Sequence, residues 1–269
     1  MKGIIFDFNG TLYWDSQLHY DAWIEYSKIL RGTSFTKEEM RDKMFGHTNA
    51  DIIEYAIGRK PSVEMVEKYA KEKEALYRKR CLVDKENFKL APGAAAFLDF
   101  LKENNIPMTI ATMSEWDNVE FYIKEFKLAK WFDVDKIVYS NGKIPGKPAP
   151  DIFLIAAGKI GLNPKDCVVF EDAIAGINAA KAAGIGKIIA VDSIEPIEFY
   201  RDIDGHSVRM YSNSLSPWGC YNSYTSFSPG CFGFGFPPCG NSFAAGAGIG
   251  LGFAAGMGVI NLIGRLLNN

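Results

Sequence analysis

The first apolar stretch of the chain ends in side chains that could carry out covalent chemistry. Residues 2–8 are rich in β-branched and aromatic side chains, and Asp7, Asn9 and Gly10 lie at or just beyond the end of this stretch. A strand here would place Asp7 at its carboxyl end, and Gly10 would permit a tight turn. A carboxylate so placed can attack phosphorus and form an aspartyl-phosphate. The same segment also fits a plain strand end with a helix-capping Asp, so it does not decide the chemistry alone.

Three further segments place polar side chains at predicted strand ends or in restricted turns. They are Thr112 and Ser114 after the apolar stretch 106–111, Lys147 in the proline-restricted turn 146–151, and Glu171 with Asp172 after the stretch 167–170. Each has an ordinary structural interpretation, as a helix cap or a solvated surface charge. Because all four segments occur in this order, each near a predicted strand end, we interpret them as one site.

The elements that must position these residues predict an α/β fold. From residue 92 onward, predicted helices alternate with short apolar strands, at 106–111, 136–139, 167–170 and 187–191. Short apolar strands separated by helices indicate a parallel sheet that is covered on both faces. Ligands bind such sheets at the carboxyl ends of the strands. We therefore predict a Rossmann-like, doubly wound parallel sheet whose last strand ends near Val191.

Composition divides the chain into three parts. Residues 15–89 are predicted to be almost entirely helical, so we expect a helical cap domain inserted into an α/β core domain of residues 1–14 and 90–205. Residues 206–269 contain no Asp or Glu and are rich in Gly and aromatic residues, which predicts a low-complexity tail. The core and the cap are expected to form the functional unit.

The tail contains an uncharged segment, 243–264, that is rich in Gly and Ala. Gly248, Gly252 and Gly256 recur at a spacing that lets membrane helices approach closely, and a helix over this segment would span about 30 Å. Large aliphatic residues are sparse, so the drive to insert is weak. Two interpretations stay open: a disordered tail, or a segment for membrane contact or self-association.

The net charge and the cysteine spacing limit which binding partners and which cellular compartment we expect. The formal net charge of the 269 residues is -2, and a nucleic-acid-binding protein would need a clustered basic excess. We therefore expect a small-molecule partner and no nucleic acid. No signal-peptide pattern opens the sequence and no CxxC spacing indicates zinc, so we expect a cytoplasmic location for the enzyme part, with membrane association through the tail as an open alternative.

Together, the four segments resemble the four motifs of the haloacid dehalogenase (HAD) superfamily over about residues 1–205. Segments 146–151 and 170–177 look like the branch of β-phosphoglucomutases and related sugar-phosphate phosphatases, in which a helical cap follows the first motif. The resemblance implies a Mg²⁺-dependent phosphatase that acts on a small phosphate monoester, with sugar phosphates as the expected class. It leaves open a β-phosphoglucomutase-type phosphomutase and a phosphometabolite-binding protein.

The resemblance also implies a role for each matching residue. Asp7 would be the nucleophile, Thr112 would hold the transferring phosphoryl group and Lys147 would neutralise charge between them. Mg²⁺ would be bound by Asp7, Glu171, Asp172 and the backbone carbonyl of Asn9, which are ligands of the type Mg²⁺ prefers. The residues implied for phosphate and substrate binding are Gly10, Thr112, Ser114, Asn118, Lys147 and the cap residue Lys73.

Asn9 departs from the family pattern, in which a second Asp two residues after the nucleophile acts as general acid and base. A carboxamide cannot exchange a proton near neutral pH, and losing such a group typically removes about 10² to 10⁴ in rate. Three explanations stay open. The enzyme is slow, another group such as His19 supplies the proton, or the protein binds phosphorylated ligands and turns them over poorly.

The cap segment bears on the choice between phosphatase and phosphomutase. The family's mutases use a cap arginine shortly after a glycine, whereas the comparable segment here, 45–49, contains no arginine. This difference favours a monophosphate hydrolase, although Arg41 or Arg59 could take the role of that arginine.

Overall fold

The computed structural model describes residues 2–44, 48–192 and 208–212. Within these ranges the chain forms one six-stranded sheet in the order β3-β2-β1-β4-β5-β6, and every neighbouring pair is parallel. The strands are β1 (Gly3–Phe6), β2 (Met108–Glu115), β3 (Val138–Ser140), β4 (Cys167–Glu171), β5 (Lys187–Asp192) and β6 (Val208–Ser212). The predicted α/β parallel sheet is confirmed.

Eight α-helices lie in the described part of the chain, and they divide into two groups. Four of them form an insertion between β1 and β2: α1 (Ser16–Arg31), α2 (Lys37–Lys43), α3 (Asn49–Ile57) and α4 (Val63–Val83). The other four alternate with the later strands: α5 (Ala94–Glu103), α6 (Trp116–Glu125), α7 (Asp151–Lys159) and α8 (Ile174–Ala182). The inserted helices share an apolar cluster that includes Trp23, Phe35 and Met40, which stabilises them as a cap.

The strands are continuous apolar runs because both faces of the sheet are covered. In β1, Ile4 and Phe6 belong to the cluster that includes Phe97 of α5, whereas Ile5 belongs to the cluster that includes Phe153 of α7. Successive strand residues point to opposite faces, so each strand must supply apolar side chains to both. All four residues of β1 are buried.

The strand order places a switch point beside β1. The chain passes from β1 to β2 and β3 on one side, and through β4 to β5 and β6 on the other. Loops that follow neighbouring strands at such a point diverge and leave a crevice at the carboxyl edge of the sheet. The loops after β1 and β4 meet there, and these are the loops that carry Asp7 and Asp172.

Two predictions about strands are wrong. Strand β2 does not end at Ala111 but continues to Glu115, because its backbone pairs with β3 through a register shift between these residues. Thr112 and Ser114 therefore lie within the strand rather than after it. The sheet does not end near Val191 either, since β6 pairs with β5 although it lies beyond residue 205, where the predicted core ends.

The predicted tail falls almost entirely outside the described residues. The segment 243–264, with its open interpretations of disorder, membrane contact and self-association, is among the residues that are not described. Among the helices of residues 2–44 and 48–192, none combines the length and the apolar character needed to cross a membrane. The role of the tail stays a prediction.

We expect Ile5→Ala to destabilise the protein strongly. Ile5 is 0% exposed, so truncation leaves a cavity in the sheet and should lower the free energy of unfolding by about 2–5 kcal/mol. Urea denaturation measures this change. The matched control is Ile29→Ala on α1, where the side chain is 67% exposed and the expected change is below about 0.5 kcal/mol. Equal effects at the two positions would contradict the assignment of Ile5 to the core.

Candidate active site

Three buried carboxylates meet where β1 and β4 end. Phe6 of β1 pairs with Phe170 of β4, so Asp7 comes next to Glu171 and Asp172. Each of the three acids offers a ligand atom, and these atoms all lie within 4.8 Å of one another. Parallel pairing of two neighbouring strands thus brings together acids that are far apart in the sequence.

Lys147 lies between two of these carboxylates. Its Nζ atom is 2.6 Å from Asp7 Oδ1 and 2.7 Å from Glu171 Oε2, and its side chain is 9% exposed. Burial alone would lower the pKa of Lys147, but the charges of Asp7 and Glu171 outweigh that effect and raise it above its ordinary value. The lysine therefore stays an ammonium ion that holds one oxygen of Asp7.

The cluster contains more negative than positive charge. Burial raises the pKa of Asp7 to about 7, and the charge of Glu171 adds to the rise while Lys147 opposes it. Burial also raises the pKa of Asp172 well above its ordinary value, and the charge of Glu171 raises it further. Because the charge of Glu171 contributes to both shifts, one ammonium does not fully offset three carboxylates. A divalent cation with oxygen ligands would supply the remaining charge, so the residues fit a metal site.

Two glycines make room for the acids. Gly10 has a φ of +79°, and a Cβ atom there would lie 2.0 Å from Asp172 Oδ2. A Cβ atom on Gly176 of α8 would lie 2.1 Å from Glu171 Oε1. Gly10 therefore leaves space for Asp172 because it has no side chain. Nothing in the sequence singles out Gly176 for this role, because its neighbour Glu171 approaches it only in the folded chain.

The two hydroxyls of β2 lie beside Asn9, since β2 is the other neighbour of β1. Ser114 Oγ is 2.7 Å and Thr112 Oγ1 is 3.4 Å from Asn9 Oδ1, and both can donate to it. Ser114 N also donates to Thr112 Oγ1 at 3.1 Å, which fixes the threonine hydroxyl. The structure thus brings Thr112 and Ser114 to the loop that carries Asp7, and their role in phosphate binding stays a prediction.

Asp15 is a central residue of the site that sequence reasoning missed. Its carboxylate accepts a hydrogen bond from Asn9 Nδ2 at 2.6 Å and one from the Gly10 backbone N–H at 3.2 Å. It also accepts from the hydroxyl of Tyr77 on α4, and the residue is only 1% exposed. The sequence offers no signal for this role, because Tyr77 is distant along the chain and the helical pattern marks Asp15 only as the start of the cap.

His19 and Lys73 continue the network into the cap. His19 Nε2 is 3.4 Å from Asp15 Oδ2, and Lys73 Nζ is 2.9 Å from His19 Nδ1. A lysine ammonium can only donate, so Nδ1 accepts and the ring proton resides on Nε2, facing Asp15. The ring also stacks on Tyr77 with 3.8 Å between centroids. Both nitrogens of His19 are therefore engaged, and its role as a proton donor to substrate stays a prediction.

Lys73 and Asn118 both bind Glu74, a second residue that sequence reasoning missed. Glu74 Oε1 is 2.8 Å from Lys73 Nζ, and Asn118 Nδ2 donates to Glu74 Oε2 at 2.7 Å. Arg78 Nη1 donates to Asn118 Oδ1 at 2.6 Å. Because Glu74 lies on α4 and Asn118 on α6, this carboxylate joins the cap to the core. The structure places Lys73 and Asn118 beside each other but gives them no contact with Asp7.

Comparison with known proteins agrees with this geometry. The family model described as haloacid dehalogenase-like hydrolase matches residues 1–184. The chain belongs to the haloacid dehalogenase-like hydrolases. A phosphorylated carbohydrates phosphatase of Thermotoga maritima is 30% identical over 194 residues, which are 71% of this hydrolase and 85% of that protein.

Two further relatives support the same assignment of this haloacid dehalogenase-like hydrolase. A β-phosphoglucomutase of Bacillus subtilis is 32% identical over 190 residues, 69% of this chain and 81% of that protein. The crystal structure of a HAD hydrolase, family IA, variant 3, from Entamoeba histolytica is 41% identical, with a TM-score of 0.73, and the match covers 78% of this chain and 92% of that one. The family resemblance seen in the sequence is confirmed.

We expect Gly10→Ala to damage the hydrolase more than a matched glycine substitution. Gly32 has nearly the same φ, +80°, but a Cβ atom there would have no neighbour within 4 Å, so Gly32→Ala should cost about 1–2 kcal/mol of conformational strain. Gly10→Ala carries the same strain and also pushes against Asp172, which should add about 1–3 kcal/mol. Urea denaturation compares the two variants, and equal losses would contradict the packing of Gly10 against Asp172.

Glu74→Gln should destabilise the hydrolase in a pH-dependent way. Burial opposes the charge of Glu74, but Lys73 and the hydrogen bond from Asn118 outweigh it and lower the pKa of Glu74 from 4.5 to about 2. The stabilisation is therefore complete above pH 4.5 and is lost as the pH falls toward 2. We expect Glu74→Gln to cost up to about 3 kcal/mol at neutral pH and progressively less in acid.

Urea denaturation at several pH values measures the Glu74→Gln difference. Glu67→Gln on the same helix is the control for the chemical change, because Glu67 is exposed and the expected cost is below about 0.5 kcal/mol. A Glu74→Gln penalty that stayed constant from neutral pH into acid would show that the carboxylate charge is not what stabilises the fold.

Proposed function

We propose that this haloacid dehalogenase-like hydrolase is a Mg²⁺-dependent phosphatase that hydrolyses a small phosphate monoester through an aspartyl-phosphate on Asp7. The single observation that carries the proposal is the position of Lys147, whose ammonium group binds Asp7 and Glu171 inside a buried carboxylate cluster. This arrangement leaves Asp7 one oxygen for attack on phosphorus. The carbohydrate phosphatase among the relatives favours sugar phosphates as the substrate class.

The proposed reaction has two displacements at phosphorus. A carboxylate oxygen of Asp7 forms a P–O bond while the ester P–O bond breaks, and the leaving alkoxide takes up a proton from solvent water. A second water then attacks phosphorus and gives up a proton to solvent while the bond between phosphorus and Asp7 breaks, which releases phosphate and restores the Asp7 carboxylate. Such transfers depend mainly on positioning and on charge neutralisation rather than on elaborate covalent chemistry.

Phosphate binding, charge neutralisation and metal binding would each be carried out by different residues. Thr112 and Ser114 offer hydroxyl donors next to the nucleophile loop, and Lys147 orients Asp7 and neutralises charge. Asp7, Glu171, Asp172 and the carbonyl of Asn9 would hold Mg²⁺. When bound, the ion supplies positive charge against the phosphate oxygens. Asn9 cannot exchange the proton that the leaving group needs.

A phosphomutase is the second candidate, because one relative is named a β-phosphoglucomutase. A mutase must also accept the second phosphate of a bisphosphate. In the cap, however, the carboxylate of Glu74 binds both Lys73 and Asn118, the side chains proposed for substrate binding. A second phosphate at that place would meet a buried negative charge, which favours the phosphatase. A binding protein without turnover would not require the Lys147–Asp7 pair.

We expect Asp7→Asn to abolish phosphate release by the full chain. The amide is a poor nucleophile of nearly the same shape, so release from sugar monophosphates with Mg²⁺ should fall by about 10³-fold or more. A phosphate-release assay over a panel of sugar monophosphates measures the effect. Asp166→Asn, the same change next to the amino end of β4, is the control and should leave the rate within about twofold.

Two results would contradict the proposal. One is phosphate release by Asp7→Asn at the wild-type rate, and the other is release that persists after Mg²⁺ is removed with a chelator. If wild type released no phosphate but bound sugar phosphates, the binding-protein alternative would replace the phosphatase.

A further inference from the structure

The carboxamide of Asn9 is held on both sides by groups that fix its orientation. Nδ2 donates to Asp15 Oδ2 at 2.6 Å and to the hydroxyl of Tyr122 at 2.9 Å. On the other side, Oδ1 accepts from the hydroxyls of Ser114 and Thr112. A carboxylate can only accept hydrogen bonds, so the side of Asn9 that faces Asp15 must be the NH₂ group. The chemistry of Asp15 thus determines which way the amide points.

Asp15 has no freedom to turn away from Asn9. Oδ1 accepts from the backbone N–H of Gly10 at 3.2 Å, and Oδ2 accepts from the hydroxyl of Tyr77 and lies 3.4 Å from His19 Nε2. Its side chain is 0% exposed. The carboxylate therefore ties the loop after β1 to two cap helices, α1 and α4. Any side chain at position 9 must complement an immobile acceptor.

A carboxylate at position 9 would not complement Asp15. As an ionised carboxylate it would have no proton to donate across the 2.6 Å contact, and two like charges would face each other at a partly buried position. Asn9 supplies the N–H donor that this position requires. Asp15 therefore explains why an amide, and not a carboxylate, occupies position 9.

We propose that Asp15 is a positioning residue for phosphoryl transfer and that Asn9 and Asp15 form a matched pair, in which a carboxylate can occupy one position but not both. Asp15 turns Oδ1 of Asn9 toward Thr112 and Ser114 and thereby orders the hydroxyls that face the nucleophile loop. This inference rests on the proposed phosphatase function. It concerns the orientation of groups around the reacting phosphate and not a contact of Asp15 with substrate.

The test is a reciprocal swap in the full chain: Asn9→Asp, Asp15→Asn and the double variant. In the Asn9→Asp variant, two acceptors face each other. In the Asp15→Asn variant, an NH₂ group replaces one carboxylate oxygen and faces a donor, either Asn9 Nδ2 or the Gly10 N–H. The Gly10 N–H keeps the Tyr13 carbonyl as an acceptor at 2.7 Å. In the double variant, the NH₂ group of residue 15 donates to the carboxylate at 9 and to the Tyr77 hydroxyl, which can in turn donate to Tyr122, and its carbonyl oxygen accepts from Gly10. Only the longer contact with His19, at 3.4 Å, loses its acceptor.

We expect each single variant to lower the melting temperature by about 4 °C or more and the double variant to recover most of that loss. For phosphate release with Mg²⁺ from the best sugar monophosphate, kcat should fall about tenfold or more in each single variant, while KM stays within about threefold because Asp15 does not touch substrate. The double variant should match or exceed the wild-type kcat. Asp21→Asn on α1 is the control and should change neither quantity appreciably.

The two readouts separate this inference from the proposed function. Additive effects on the melting temperature, or a large gain in kcat from Asn9→Asp alone, would overturn the matched pair. Coupled melting temperatures without phosphate release by any variant would instead overturn the phosphatase and, with it, the role of Asp15 in transfer. If Asn9→Asp does not fold, folding of the double variant supports the pair, and failure of both to fold overturns it.

Discussion

The site depends on the backbone pairing between β1 and β4. This pairing forces three carboxylates into one buried volume, where their mutual repulsion and loss of hydration are costly. Lys147 offsets part of that cost by binding two of them at 2.6 and 2.7 Å. The rest of the local structure accommodates the same cluster: Gly10 and Gly176 leave space for the acids, and the parallel sheet keeps their backbones fixed. A strained charge cluster of this kind is what one expects at a site that recruits a cation and an anion together.

A second feature of the structure is the series of polar contacts that leads from the loop after β1 into the cap. Asn9 binds Asp15, His19 lies between Asp15 and Lys73, and Lys73 binds Glu74. Each member is at least partly buried, and together they come from the loop after β1 and from helices α1 and α4. Removing one partner from such a network costs more stability than an average hydrogen bond contributes, because a buried polar group is left unpaired. Each member therefore limits which side chains can occupy the neighbouring positions. The choice of amide at position 9 is the clearest example.

The sheet and the members of the buried charge cluster could be predicted from the sequence because they depend on local patterns. Apolar runs predict buried parallel strands, and Asp7, Lys147 and Asp172 each follow such a run or a restricted turn. The extension of β2 could not be predicted in this way, since residues 112–114 are mostly polar and continue the strand only by pairing with β3. Asp15 was missed for a similar reason, because its partners come from helices that are distant along the chain.

The position of β1 in the sheet has a consequence for amide hydrogen exchange. With hydrogen-bonded neighbours on both sides and all its residues buried, β1 belongs to the part of a fold whose amides exchange only through large-scale opening. The loop that follows is secured differently, by side chains from α4 and α6 that bind Asp15 and Asn9. Asp7 is thus attached to a slowly exchanging strand, while the side chains that hold the following loop, Tyr77 and Tyr122, are 0% and 1% exposed. Opening of this loop would therefore require buried side chains to separate, so the position of Asn9 depends on side-chain packing and that of Asp7 on the pairing of β1.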